Sequence, residues 1–209
     1  MTSVLRLSAA FAALLACSPA FAQGAPAPSQ GAAPGPGGQQ QPSGPAAGQA
    51  PGPSTPIIGP KGSFRLTPDG EKWARFQTVR AIGVSCTDKN CGGDRVFCMI
   101  QVRAAADAKP GGDVPAESAK KLGDGLIGHT PKEMKAEWAA PFAPKTIGGH
   151  KGLWGEIQAS GEPGSVHSGL FMVAAEGHEV AFNCVAPADK WTTHLPKIEQ
   201  VIASLEITK

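Results

Sequence analysis

The sequence predicts an α+β domain, an antiparallel sheet with helices packed on it, behind a disordered Pro/Gly/Ala-rich tether. Three observations carry this. Strand-like runs fill residues 64–102 and return after Pro144. A helix-spaced segment separates them, and another closes the chain. Residues 23–60 are drawn almost wholly from Ala, Pro, Gly, Gln and Ser. Runs of strands broken by a helical insert suit a layered α+β architecture.

The N-terminus, "MTSVLRLSAAFAALLACSPAFAQG", has one basic residue, Arg6, then an apolar run from Leu7 to Ala16. Small residues at Ala20 and Ala22 precede Gln23. That is the layout of an export signal, assigned to 1–22 with cleavage after Ala22. The apolar run is too short for a permanent span, which needs about 20 residues. The stretch "LLAC" competes as a lipobox in which Cys17 would be lipidated, although Leu15 stands where a small residue is commoner. The expected location is therefore periplasmic or secreted, with a lipid-anchored form as the alternative. A membrane is a partner only if Cys17 carries lipid.

The tether, 23–60, has no charge and no aromatic residue, and its only sizeable apolar pair is Ile57-Ile58. Such a composition buries too little surface to offset the entropy of ordering it. The remaining body, 61–209, is long enough for one domain with its own core. The charges of the whole chain are well mixed, with a formal net charge of +2. Without a basic stripe, no nucleic-acid partner is expected.

Within the body, "FQTVRAIGVSC" and "RVFCMIQVRA" flank the turn-forming "TDKNCGGD", which reads as a hairpin with a long loop. Alternation puts Val96, Cys98, Ile100 and Val102 on one face. A helix follows in "DVPAESAKKLGDGLIGH", capped by Asp113, with Pro115 in its first turn and Ala119, Leu122 and Leu126 at helical spacing. The stretch "TPKEMKAEW" offers a capping box, Thr130 to Glu133, so a second helix is expected with Met134 and Trp138 on one face. Strands resume in "HKGLWGEIQASGE" and in "SVHSGLFMVAAEGHEVAFNCVA", which turns at "AEGH". There Val180, Phe182, Cys184 and Ala186 share a face, and Asn183 lies on the other. Pro196 is expected to open a last helix carrying Ile198, Ile202 and Leu205.

The stretch "GLFMVAAEGHEVAFNCVAPADKWTTHLPKIEQVIASLEI" resembles the end of Mog1/PsbP-like domains, including small exported bacterial members. In these a hairpin, a loop and a terminal helix finish in a Ser-Leu-aliphatic motif, matched here by Ser204, Leu205 and Ile207. The resemblance implies an α/β/α sandwich over most of 61–209. It implies no shared catalytic residues, and a role in binding or assembly.

Export would place four mature cysteines in an oxidising compartment, which implies two disulfides. Cys98 and Cys184 sit among inward-facing aliphatics, so a bridge between neighbouring strands suits them, leaving Cys86 and Cys91 to close the loop. The rival pairing joins Cys86 to Cys98 and Cys91 to Cys184. A structural zinc usually takes two closely spaced ligand pairs, and C-x4-C with C-x6-C supplies half of that, so no metal and no cofactor are expected. Redox catalysis favours C-x-x-C at a helix start, whereas Cys86 and Cys91 flank a turn.

No nucleophile elbow or phosphate loop occurs, so no catalytic residue is assigned. "GGHKGLW" is a candidate contact surface, with His150, Lys151 and Trp154 at the start of a strand, since an exposed Trp beside a cation often marks one. The competing reading buries Trp154 in the core, and Trp73 and Trp191 carry the same ambiguity. The expected function is an exported, non-enzymatic binding or assembly module of the bacterial cell envelope, with an unidentified protein or small-molecule ligand. The alternatives are a surface-anchored structural lipoprotein and a periplasmic enzyme with hydrolytic or thiol chemistry.

Overall fold

Alternation of apolar residues builds most of this molecule, because strands outnumber helices and one sheet carries the core. The computed structural model describes residues 55–77, 82–162 and 164–208. The expected signal peptide, Cys17 and most of the tether lie outside them. Strands β3 (Trp73–Gln77), β4 (Ile82–Cys86), β5 (Phe97–Ala104), β6 (Met134–Ile147), β7 (His150–Gly161), β8 (Gly164–Ala175) and β9 (His178–Pro187) form one sheet. Its order is β3-β4-β5-β9-β8-β7-β6, and every pairing is antiparallel. A small sheet joins β1 (Ile57–Ile58), β2 (Phe64–Leu66) and β10 (Leu205–Ile207) in the order β1-β2-β10. It ties the two ends of the body together.

Among the described residues three α-helices join the sheets, α1 (Asp88–Cys91), α2 (Ala116–Gly128) and α3 (Trp191–Ile202), with short 3-10 turns at Pro60–Gly62 and Ala188–Lys190. Ile198, Val201 and Ile202 of α3 pack in one buried cluster with Trp154, Phe171, Phe182, Cys98 and Cys184. A second cluster combines Ala119 and Leu122 of α2 with Met172, Ala174 and Ala181. Met172 and Ala181 alternate with Phe171 and Phe182 along their strands, so the helices lie on opposite faces of the sheet. This is the expected α+β layering.

Four local expectations are corrected. The helix expected at "TPKEMKAEW" is the start of strand β6. A spacing of four puts two residues on one face in a helix and in a strand alike, so Met134 and Trp138 could not discriminate. The fuller pattern does, because burial alternates along β6 from Met134 through Ala136, Trp138 and Phe142. Trp138 stands against α2 at Gly123, where a Cβ would overlap its indole ring, and its Nε1 donates to Asp124 at 3.2 Å.

Helix α2 begins at Ala116 with Pro115 outside it, and Asp113 is not its cap. A residue before proline is driven to extended backbone, so Val114 cannot be helical. Helix α3 begins at Trp191, five residues ahead of Pro196, which lies inside it. Burial of Trp191 and His194 favours the earlier start, at the cost of the one backbone bond that Pro196 cannot donate. The run "FQTVRAIGVSC" is not one strand, since β3 ends at Gln77 and β4 begins at Ile82, and the two pair antiparallel. The loop after β4 holds a helical turn, α1.

The boundary at 60/61 also falls too late. Ile57 is 1 % exposed and pairs with Leu66, while Ile58 is 55 % exposed. One isoleucine of an otherwise polar stretch therefore belongs to the core. Ile57→Ala is expected to cost about 2–4 kcal/mol, and Ile58→Ala less than about 0.5 kcal/mol, in urea unfolding of the mature chain.

Candidate functional site

The sheet face beneath α3 carries a cluster of aromatic and ionisable side chains near the start of that helix. Trp154 from β7 stacks on Trp191, the first residue of α3, with centroids 6.5 Å apart. Space for the pair comes from Gly169 on β8, where a Cβ would overlap the Trp154 ring and approach Trp191 to 2.9 Å. The Trp154 Nε1 donates to Glu156 Oε1 at 2.8 Å. His167 Nε2 donates to the other oxygen of Glu156 at 2.8 Å, and its ring stacks on Trp191 at 4.4 Å. The Lys145 ammonium sits 4.2 Å from the Trp154 ring centroid and pairs with Glu199 at 2.6 Å.

A second imidazole–carboxylate pair lies one turn along α3. His194 Nε2 donates to Asp94 Oδ2 at 2.9 Å, and Lys190 pairs with Asp94 Oδ1 at 2.7 Å. Lys190, and after it His194, hold the Asp94 carboxyl below the usual aspartate range, and Asp94 in turn raises Lys190. His194 is 2 % exposed, and its Nδ1 has no hydrogen-bond partner among the described residues. Lys197, one turn further, donates to the backbone oxygen of Asn90 at 2.5 Å. One stripe of α3 therefore grips the loop that follows β4.

The Asp94 shift has a directional consequence. A carboxyl whose folded value is depressed contributes stability that is present above its unfolded value and lost as pH falls through the folded one. Asp94→Asn is expected to lower the melting temperature at pH 7, and the gap from the parent should close below about pH 4. Thermal unfolding across pH 2–7 checks this.

The structure does not assemble His150, Lys151 and Trp154 into one surface. Trp154 is 7 % exposed and belongs to the core, as do Trp73 and Trp191. His150 opens β7 and donates through Nε2 to the Leu205 oxygen at 2.6 Å, fastening β7 to β10. Lys151 is exposed on the other face, where it lines a half-open recess of about 410 Å³ with Asp113, Thr146 and Leu153. Its neighbours on the strand are thus excluded from any shared contact.

The cysteines are joined as Cys86–Cys91 and Cys98–Cys184. Cys98 and Cys184 face each other in register across β5 and β9, which is why alternation on the two strands pointed to them. Asn183 lies on the face away from Cys184, fully buried, and neither polar atom of its side chain has a hydrogen-bond partner among the described residues.

Sequence reasoning missed His167, Glu156, Asp94 and His194 as partners. His167 and Glu156 lie eleven residues apart, and His194 and Asp94 a hundred apart. Only strand register and helix docking bring them together. Each imidazole is hydrogen-bonded to its carboxylate, but neither hydrogen-bonds a hydroxyl or thiol among the described residues. Among those residues no three His, Cys, Asp or Glu side chains converge as a metal-binding group. No described helix is long and apolar enough to cross a membrane.

No family model matches the chain, and no curated protein matches it. Its backbone does resemble solved structures. The solution structure of cyanobacterial PsbP (CyanoP) from Synechocystis sp. PCC 6803 aligns with a TM-score of 0.54 at 12% identity, over 78% of this chain and 98% of that one. LpqN, involved in cell envelope biogenesis of Mycobacterium tuberculosis, aligns with a TM-score of 0.50 at 17% identity, over 75% of this chain and 91% of that one. At such identities the likeness speaks for the fold and carries no functional residue across. With its helices on both faces of an antiparallel sheet and these two neighbours, the chain has the Mog1/PsbP-like fold.

Proposed function

We propose that this chain is an exported, non-enzymatic binding or assembly module of the bacterial cell envelope, which recognises a protein or small-molecule ligand. The observation that carries the reading is the pair of disulfides in a domain of this fold. Disulfides persist in oxidising compartments and are rare in the cytosol. The signal-like N-terminus supports the same placement, with the tether giving the domain reach from a surface. LpqN, one structural neighbour, is described as involved in cell envelope biogenesis. Both histidines of the α3 cluster are engaged by carboxylates, an arrangement that serves to position that helix.

The test is non-reducing peptide mapping of the full-length gene product recovered from the periplasm after cross-linking in cells. The expected result is a mature N-terminus at Gln23, both bridges closed, and a discrete cross-linked species. Lipid at Cys17, detected in the same map, would select the anchored form. Protein retained in the cytoplasm with reduced cysteines would overturn the proposal.

A further inference from the structure

The two disulfides border one buried cluster but differ in exposure. Cys98 and Cys184 are both fully buried in the cluster beneath α3. Cys86 ends β4 partly buried and packs against that cluster, of which Cys91, 3 % exposed, is a member, so Cys86 is the more accessible sulfur of the pair. An attacking thiolate must reach a sulfur, so access alone separates the two bridges and selects Cys86 within the first.

The surroundings of Cys86 add chemistry to access. The Asn90 Nδ2 group donates to Cys86 Sγ at 3.1 Å. An N–H aimed at a sulfur favours its charged form over its neutral one. The thiolate is the species that attacks a disulfide and the species released when one is cleaved. Asn90 therefore stabilises the state through which Cys86 would have to pass.

The loop is also anchored independently of its sulfurs. Thr87 Oγ1 donates to the backbone oxygens of Glu71 and Lys72 at 3.0 and 3.2 Å. Lys197 holds the Asn90 oxygen, and Lys190 and His194 hold Asp94. None of these contacts passes through the bridge, so opening it leaves the loop seated on α3 and the β3 turn.

We propose that Cys86–Cys91 is a reversible thiol–disulfide exchange site, in which Cys86 forms the mixed disulfide with an incoming thiol and Cys91 is the resolving sulfur. In the reducing direction a thiolate attacks Cys86 Sγ, the Cys86–Cys91 bond breaks, and Cys91 leaves as a thiolate that takes a proton from water. A second thiol then attacks the incoming sulfur of the mixed disulfide and releases the Cys86 thiolate beside Asn90. Two electrons pass to the protein, and two thiols become one disulfide. The oxidising direction is the reverse, with Cys86 attacking a disulfide and Cys91 expelling the thiol. Cys98–Cys184 takes no part. This site goes beyond the proposed binding role and does not depend on it.

The experiment treats the mature chain with graded glutathione or, separately, with a thioredoxin-type dithiol protein, then alkylates and maps the free sulfurs. Cys86 and Cys91 are expected to open at a thiol concentration about 100-fold below that needed for Cys98 and Cys184. Opening by glutathione assigns a small thiol as a sufficient partner, and opening by the dithiol protein alone assigns a macromolecular one. Bridges that open together, or Cys98–Cys184 opening first, would overturn the site. A second measurement isolates Asn90. In the Cys91→Ser background, Asn90→Ala should move the pH profile of Cys86 alkylation upward and slow capture by oxidised glutathione at pH 7 by about 3–10-fold. An unchanged profile would sink the role given to Asn90 and Cys86, even with the fold intact.

Discussion

Replacing Cys98 and Cys184 together by alanine is expected to destabilise the domain by about 4–5 kcal/mol on the chain-entropy account. The two residues are 86 apart in sequence, so their bridge removes a long loop from the unfolded ensemble. Both side chains are fully buried, so the paired substitution leaves no sulfur exposed to new chemistry. It does leave β5 and β9 paired, because their ladder runs from Phe97↔Val185 to Ala104↔His178 without the sulfurs. The fold should persist at room temperature while the melting temperature falls by roughly 10 °C or more. Urea unfolding under non-reducing conditions measures the difference. A loss below about 1 kcal/mol would show that the bridge closes a contact already made in the unfolded chain.

The Trp154→Ala variant should lose about 3–5 kcal/mol, because it empties one of the larger volumes in the core. The indole stacks on Trp191 and lies under the Lys145 ammonium. Its removal also takes a donor from Glu156, leaving His167 as its side-chain hydrogen-bond partner among the described residues. The outcome separates two readings of "GGHKGLW". A residue serving as an exposed anchor for a partner would change stability by less than about 0.5 kcal/mol when truncated. Far-UV circular dichroism during urea unfolding decides between them. Trp154→Phe, which keeps a smaller aromatic ring and drops the N–H, should recover part of the loss.

The strands that form the Cys98–Cys184 pair were legible because alternation is a local property. Cys98 and Ile100 on one strand, continuing the alternation from Val96 just before it, and Phe182, Cys184 and Ala186 on another announce inward faces without reference to any neighbour. The "AEGH" turn was legible for the same reason, and β8 and β9 meet there with Ala175 opposite His178. Met134 and Trp138 misled because an interval of four satisfies both periodicities. Ile57 misled because composition was averaged over the tether, and one buried side chain does not move such an average.

The cluster at α3 was not legible at all. Trp154 beside a lysine and a histidine looks alike whether it faces in or out, and the choice depends on where β8 and α3 lie. His194 and Asp94, a hundred residues apart, become partners only because α3 crosses the loop after β4.

By itself, the amino-acid order determined an α+β domain of alternating strands with a closing helix, and it marked the four cysteines as partners for one another. Those features follow from nearest-neighbour periodicity and from residue chemistry. Tertiary structure alone decided which sulfur is reachable, which tryptophan is buried and which acid each imidazole holds. The reason is physical: such properties belong to pairs of segments in register, and a linear sequence does not state the register of segments far apart in it.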